Sequence, residues 1–191
     1  MMNILHALDQ NIFRTLLDAV SAPGRRLPLP GHVLQRTRVP AARVLDVLFD
    51  QDTSFAVTGP GAAALTEEIR LATGAKPVGI PEADFLVVLG PWTDGALRNA
   101  RRGRPENPEE GATVFYLLDQ REGIPASRSF RLQGPGINPG IEQFPEMPGL
   151  YWEELRLLGE VNGDFPLGVD AFFLDRESVM AVPRSVGLVE A

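Results

Sequence analysis

Hydrophobic residues near the start of the chain recur at the spacing of an amphipathic helix. They stand at i, i+3, i+4 and i+7: Phe13, Leu16, Leu17 and Val20. This spacing predicts a helix that buries one apolar stripe in the core. Asp9 is a candidate N-cap, and the turn-forming residues 21–24 end the helix.

Short apolar runs and helical patterns alternate along the rest of the chain. Strand-like runs span residues 54–58, 84–89, 112–118, 128–133, 169–174 and 179–182. Helical patterns span residues 41–49, 60–72, 92–101 and 149–159. The alternation predicts an α/β fold in which helices flank a mixed central β-sheet.

The pairing and the connections follow from the same pattern. The runs 112–118 and 128–133 are candidates for an antiparallel pair, and the last two runs predict a hairpin around residues 176–178. Segments 25–40 and 137–148 are rich in proline and glycine and are predicted to be irregular, whereas 101–111 is predicted to be an exposed polar loop.

Length and composition predict an ordinary globular chain. With 191 residues, against about 150 for a typical domain, residues 1–191 are expected to form a single domain. The first residues lack the basic and apolar regions of a signal peptide, and no apolar run approaches the roughly 18 residues that span a bilayer. We therefore expect a cytoplasmic protein with no membrane partner.

The chain lacks, or has very few of, the residue types that several kinds of catalytic and metal site require. The chain has no cysteine, one lysine (Lys76) and two histidines, His6 and His32. Thiolate zinc sites, iron–sulfur clusters and thiol nucleophiles are thereby excluded, and little remains for a histidine-based zinc hydrolase. The net charge of −7 disfavours nucleic acid, because a phosphate backbone repels an acidic protein. Seventeen of the 18 basic residues are arginine, which suits bidentate contacts with phosphate or carboxylate groups.

Two glycine-rich turns and the lone lysine are candidate sites with simpler explanations. Gly59-Pro60-Gly61 and Gly134-Pro135-Gly136 each follow a predicted strand, where phosphate-binding loops occur, but neither has a complete dinucleotide or P-loop spacing. A plain turn is the alternative at both places. Lys76 is the one possible anchor for pyridoxal phosphate (PLP), but it precedes a proline in a turn that looks exposed.

Three arginines and one aspartate are further candidates. Arg14 lies off the apolar stripe of its helix, Arg131 lies on the opposite face of its strand from Phe130 and Leu132, and Arg184 follows the last predicted strand. Each is either solvated, bound to a partner carboxylate or available to an anionic ligand. Asp170 opens a strand, where it can cap backbone N–H groups or accept from an arginine.

Four ordered segments together resemble the PhnH family of the bacterial carbon–phosphorus lyase system. They are residues 165–170 with the following strand and Ala181 to Ser185, residues 13–24, residues 44–57, and residues 111–137 with the Gly134 turn. The chain departs from the family pattern at Val169 and at Ser185-Val186, and residues 92–110 and 138–164 match poorly.

The resemblance implies a fold similar to type I PLP-dependent transferases without the PLP site, no cofactor, and a homodimer. It implies a complex with PhnG, PhnI and PhnJ, and a role beside PhnG, PhnI and PhnL-type partners in forming α-D-ribose 1-methylphosphonate 5-triphosphate from ATP and methylphosphonate. An accessory, non-catalytic subunit is the expected function. The alternative is a subunit that binds nucleotide or phosphonate in a cleft at the dimer interface. The ligand-binding candidates are Arg14, Arg131, Gly134, Gly136, Asp170, Arg184 and Ser185. Catalytic and metal-binding residues are not predicted.

Overall fold

Four helices and nine strands appear in the computed structural model, which describes residues 2–30, 42–118, 130–137 and 152–190. The helices are α1 (Met2–Ser21), α2 (Ala42–Leu48), α3 (Ala62–Thr73) and α4 (Trp152–Val161). The strands are β1 (Leu27–Pro28), β2 (Ser54–Thr58), β3 (Lys76–Pro77), β4 (Phe85–Leu89), β5 (Thr113–Leu117), β6 (Phe130–Gln133), β7 (Asp170–Leu174), β8 (Ser178–Val182) and β9 (Gly187–Glu190). Short 3₁₀ helices span Ile80–Glu82, Ala96–Asn99 and Pro108–Glu110.

Seven strands form one mixed sheet in the order β1-β8-β7-β5-β4-β2-β3. Strands β3, β2, β4, β5 and β7 are mutually parallel, and β8 pairs antiparallel with both β7 and β1. The predicted class, α/β with a mixed sheet and flanking helices, is confirmed, and so is the predicted hairpin, β7 to β8.

Each face of the sheet carries its own hydrophobic core, because side chains alternate between the faces along a strand. One core packs the sheet residues Leu86, Val114 and Phe173 against α4. The other packs Phe115 and Val87 against helices α1, α2 and α3. Stacked rings on neighbouring strands tie the sheet together: the ring centroids lie 5.1 Å apart in Phe115–Phe172 and 4.9 Å apart in Tyr116–Phe173.

The partner of β6 differs from the predicted one. Residues 112–118 have no free edge, since β5 lies between β4 and β7. Strand β6 instead pairs antiparallel with β9 in a separate two-stranded sheet. The sequence pattern had not predicted β9. The short extended piece β1 falls within the segment 25–40, of which residues 31–40 lie outside the described residues, as do 138–148 of the segment 137–148.

Two predicted helices also differ in their bounds or type. Residues 92–101 do not form an α-helix. Asp94 and Gly95 have positive φ angles, and only the 3₁₀ turn Ala96–Asn99 follows them. Helix α1 begins at Met2 rather than after Asp9, so Asp9 is not its N-cap; its carboxylate pairs with Arg43 on α2. The loop 101–111 was predicted to be exposed, but about half of its residues are half-buried, and ion pairs hold it in place.

The predicted apolar stripe of α1 is wrong for three of its four positions. The buried residues are Ile12, Leu16 and Ala19, whereas Phe13, Leu17 and Val20 are exposed. The helix therefore has two adjacent apolar flanks. The flank with the smaller side chains, Ile12, Leu16 and Ala19, packs on the sheet. No helix in the described ranges is long and apolar enough to cross a membrane.

Candidate functional site

Asp170 and Arg184 form a clasp between the start of β7 and the residues after β8. The Arg184 Nη2 donates to Asp170 Oδ2 at 2.6 Å and Nε donates to the same oxygen at 3.1 Å, while the Arg184 amide donates to Oδ1 at 2.8 Å. The carboxylate thus caps a backbone N–H and accepts from an arginine, as the sequence predicted.

Arg184 also binds the loop that precedes β5. Its Nη1 donates to the carbonyl of Pro108 at 2.6 Å, and Nη2 donates to that of Gly111 at 3.2 Å. These bonds and those to Asp170 occupy four of the five N–H donors of the guanidinium. The side chain is only 12% exposed. In this structure Arg184 is a structural clasp, and a ligand role for it stays a prediction.

The glycine turn after β6 meets two other segments of the family-like pattern. A Cβ at Gly134 would lie 2.7 Å from the carbonyl oxygen of Ser185. A Cβ at Gly136 would lie 2.8 Å from the carbonyl oxygen of Ser21 and 2.9 Å from Cδ of Pro23, and Gly136 has φ +79°. Three segments far apart in sequence therefore meet here with their backbones too close for a side chain.

Arg14 and Arg131 are not part of this clasp. Arg14 is exposed on α1 and Arg131 is exposed on β6, where it pairs in register with Val189. Neither makes an ion pair with another residue in the part of the chain that the structure describes. The structure thus brings together Gly134, Gly136, Ser185, Asp170 and Arg184 and leaves both of these arginines on separate elements.

The other sequence candidates have ordinary positions. Lys76 is exposed on the two-residue edge strand β3. Gly59-Pro60-Gly61 forms the turn from β2 into α3, and Gly61 is the N-terminal cap of that helix. His6 lies within α1, and His32 lies outside the described residues.

A buried carboxylate behind the carboxyl end of β4 was not predicted. Glu154 on α4 is 4% exposed. It accepts hydrogen bonds from the Tyr116 hydroxyl at 2.7 Å and from the Thr93 hydroxyl and amide at 2.8 and 3.1 Å. Burial raises the pKa of Tyr116 well above its ordinary value, and the Glu154 carboxylate raises it further. Tyr116 therefore stays a neutral donor that helps to fix the loop after β4.

The sequence did contain a signal for Glu154. Its position begins an i, i+3, i+4, i+7 series with Leu157, Leu158 and Val161, all of which are buried. A glutamate inside the apolar register of a helix predicts a buried carboxylate with donors around it.

A second carboxylate links the N-terminal ends of β2 and β4 to the loop that begins at Arg101. Asp84 accepts from the Ser54 hydroxyl at 2.6 Å and the Ser54 amide at 2.9 Å, and it pairs with Arg101. Partial burial pushes the pKa of Asp84 upward, but the hydrogen bonds from Ser54 and Arg101 outweigh burial, so the net shift is downward. Ser54, Asp84 and Arg101 are bonded to one another, so this cluster has a structural role.

An open apolar groove lies beside α1. The exposed flank of α1 forms one wall, and the sheet face forms the floor. Its lining residues are Phe13, Leu16, Leu17, Val20, Leu48, Phe85, Thr113, Phe115 and Phe172. In the described ranges no group of three or more histidine, cysteine or acidic side chains is arranged to hold a metal ion.

Comparison with known proteins gives one consistent family. The family model described as bacterial phosphonate metabolism protein (PhnH) matches residues 5–189. The chain is 31% identical over 182 residues to HtxG of Stutzerimonas stutzeri, named as a candidate C-P lyase subunit, covering 93% of this chain and 84% of that protein. It is 25% identical over 202 residues to the α-D-ribose 1-methylphosphonate 5-triphosphate synthase subunit PhnH of Rhizobium meliloti strain 1021, covering 94% and 89% respectively.

Proposed function

Because the chain belongs to the PhnH family of bacterial phosphonate metabolism proteins, we propose that it is an accessory, non-catalytic subunit of a carbon–phosphorus lyase complex. The observation that carries the proposal is the match over residues 5–189, together with two relatives that are named as subunits and are covered over most of their length. A role in phosphonate breakdown follows from those names.

The arrangement of polar side chains supports an accessory role. The family-like segments around Asp170, Arg184 and Gly136 contact one another. Most N–H donors of the Arg184 guanidinium form hydrogen bonds with protein oxygens. The buried Glu154 likewise accepts three hydrogen bonds from protein donors. Such groups stabilise a scaffold, and a scaffold is what a subunit needs to present a fixed surface to its neighbours.

We further propose the partners and the setting. The chain is a homodimer that joins PhnG, PhnI and PhnJ subunits in the cytoplasm, and the complex, aided by a PhnL-type protein, makes α-D-ribose 1-methylphosphonate 5-triphosphate. The product is supported by the Rhizobium relative, which is named as a subunit of the synthase that makes it. The similarity of the fold to type I PLP-dependent transferases stays a prediction, and a structural superposition on such an enzyme would test it.

A gene deletion in the bacterium that encodes the chain tests the function. The deletion strain is expected to grow on inorganic phosphate but not on methylphosphonate as the phosphorus source, and the chain supplied on a plasmid is expected to restore growth. A deletion strain that grows equally well on methylphosphonate would contradict the proposal.

The competing function is a subunit that binds nucleotide or phosphonate through Arg14, Arg131 and Arg184. Among the described residues Arg14 and Arg131 are exposed on separate elements, and Arg184 is bonded to protein atoms, so no contact there favours this function over the accessory role. Isothermal titration calorimetry of the purified chain with MgATP and with methylphosphonate distinguishes the two: the accessory role predicts no heat of binding to the isolated chain. Saturable heat that disappears in the Arg14→Ala variant would favour the competing function.

A further inference from the structure

Helix α1 carries an apolar flank that the described part of the chain leaves exposed. Phe13, Leu17 and Val20 are 47%, 51% and 37% exposed. With about 100° of rotation per residue, this flank lies roughly a quarter turn around the helix from the flank that packs on the sheet. The three side chains form a ridge along one wall of the open groove, whose floor includes Phe85, Phe115 and Phe172. A ridge and a groove of the same apolar chemistry therefore lie side by side.

We propose that a second copy of the chain covers this surface, with the two α1 helices antiparallel about a twofold axis near residues 16 and 17. The inference rests on the proposed homodimer and names its interface. A twofold axis beside the ridge places the ridge of each copy over the groove of the other, which is the self-complementary arrangement that an isologous dimer requires. In that register Phe13 faces Val20 of the second copy, and the two Leu17 side chains meet near the axis.

Charges at the edge of the ridge match the same register. Arg14 and Asp18 are exposed and lie one turn apart, about 60° and 100° around the helix from Leu17 toward the solvent. Neither forms an ion pair with another described residue. An antiparallel pair of α1 helices centred near residue 16 brings Arg14 of each copy opposite Asp18 of the other, so the rim carries two complementary ion pairs. A second copy is therefore favoured over an unrelated partner, because the helix complements itself.

The area available fits the centre of a stable interface. From their exposed fractions, the three ridge side chains alone offer on the order of 200–250 Å², against about 800 Å² per partner in a standard interface. The half-buried lining residues of the groove, Leu48, Phe85 and Thr113, and the charged rim add to this area. The arrangement is the usual one, in which an apolar centre is surrounded by polar residues.

Matched substitutions on two helices test the interface. Leu17→Asp changes the ridge, whereas Leu71→Asp changes a leucine on α3 that is 69% exposed and does not line the groove. Sedimentation equilibrium is expected to show a dimer for the wild type and for Leu71→Asp, and at least 100-fold weaker dimerisation for Leu17→Asp. Circular dichroism is expected to show the same folded content in all three, because both positions are exposed. A Leu17→Asp protein that dimerises like the wild type would overturn the proposal.

A charge exchange and a cross-link test the register. Arg14→Asp is expected to weaken dimerisation several-fold, and Asp18→Arg added to it is expected to restore the wild-type affinity, because the pair forms between copies. The chain has no cysteine, so Leu17→Cys treated with a short bismaleimide reports directly on the distance between copies. We expect a covalent dimer for Leu17→Cys and none for Leu71→Cys; cross-linking at Leu71 instead would place the interface on α3.

The outcomes separate this interface from the proposed function. A wild-type chain that is monomeric yet joins PhnG, PhnI and PhnJ would overturn the interface and leave the subunit function standing. A dimer with the expected sensitivity at Leu17 that joins no such complex would support the interface and contradict the function.

Discussion

At the scale of single residues, the family-like segments are explained by mutual contact. Asp170 was expected to cap backbone N–H groups or to accept from an arginine, and it does both with Arg184. Gly136 has a positive φ and lies close to the backbone of Ser21, and either feature favours glycine at this position. What the sequence could not predict is which segments meet, since Ser21 and Gly136 become neighbours only through the packing of α1 against the sheet.

Replacing Gly136 tests this contact. Gly136→Val is expected to destabilise the fold by about 2–4 kcal/mol, since it adds backbone strain and a clash with Ser21 and Pro23. Urea denaturation measures the loss. Gly95→Ala is the control: its φ of +81° is nearly the same, but a Cβ there meets only the end of the Arg98 side chain at 3.4 Å. We expect a loss of about 1 kcal/mol there, and equal losses at both sites would show that the clash does not matter.

The hydroxyl of Tyr116 is the second test at this scale. Tyr116→Phe removes one donor to the buried Glu154 while leaving the stacked ring in place. Because hydrogen bonds to a charged group are stronger than average, we expect a loss of about 1.5–3 kcal/mol in the free energy of unfolding. Tyr116→Phe in a Glu154→Leu background is expected to cost much less. A full loss in both backgrounds would mean that the hydroxyl does not act through Glu154.

At the scale of elements, periodicity identified the main helices and most strands but not every contact they make. In α1 two overlapping series share Leu16, and sequence spacing alone does not say which flank faces the sheet. In residues 92–101 the turn conformation of Asp94 and Gly95 overrode a helical pattern. The pairing of β6 with β9 depends on which edges of the main sheet are already filled, and this is a property of the tertiary fold.

The junction of β2, β4 and the following loop predicts a pH dependence. A carboxyl whose pKa is lower in the folded chain contributes stability above its unfolded pKa of about 3.9, and this contribution is lost as the pH falls through the folded pKa. Asp84 is such a group. Asp84→Asn is therefore expected to lower stability at pH 7 by about 1 kcal/mol and to flatten the loss of stability between pH 5 and pH 3.

Urea denaturation at pH 7, 5, 4 and 3 measures both effects. Glu67→Gln is the control, because Glu67 also pairs with an arginine, Arg70, but both groups are exposed and exposed pairs contribute little. We expect the control to follow the wild type at every pH. If the free energy of unfolding of Asp84→Asn falls with pH as steeply as that of the wild type, the Asp84 carboxyl does not contribute the expected pH dependence.

At the scale of the whole molecule, the described residues form a sheet with a hydrophobic core on each face. Helix α4 packs on one face and carries the buried Glu154, whereas α1 on the other face leaves a ridge and a groove open. The absence of cysteine, the single lysine and the two histidines excluded many catalytic sites from the start. The structure adds a reason for an accessory role: its distinctive polar residues bind one another, and its distinctive apolar surface faces outward.

The native mass of a reconstituted complex tests the central claim most directly. Purified PhnG, PhnI and PhnJ from the same bacterium are mixed with the chain and analysed by native mass spectrometry, with the chain omitted from a parallel sample. We predict a new species whose mass exceeds that of the parallel sample by a whole multiple of the 20.8 kDa chain. A mixture in which the chain stays separate and the other subunits keep their mass would contradict the account.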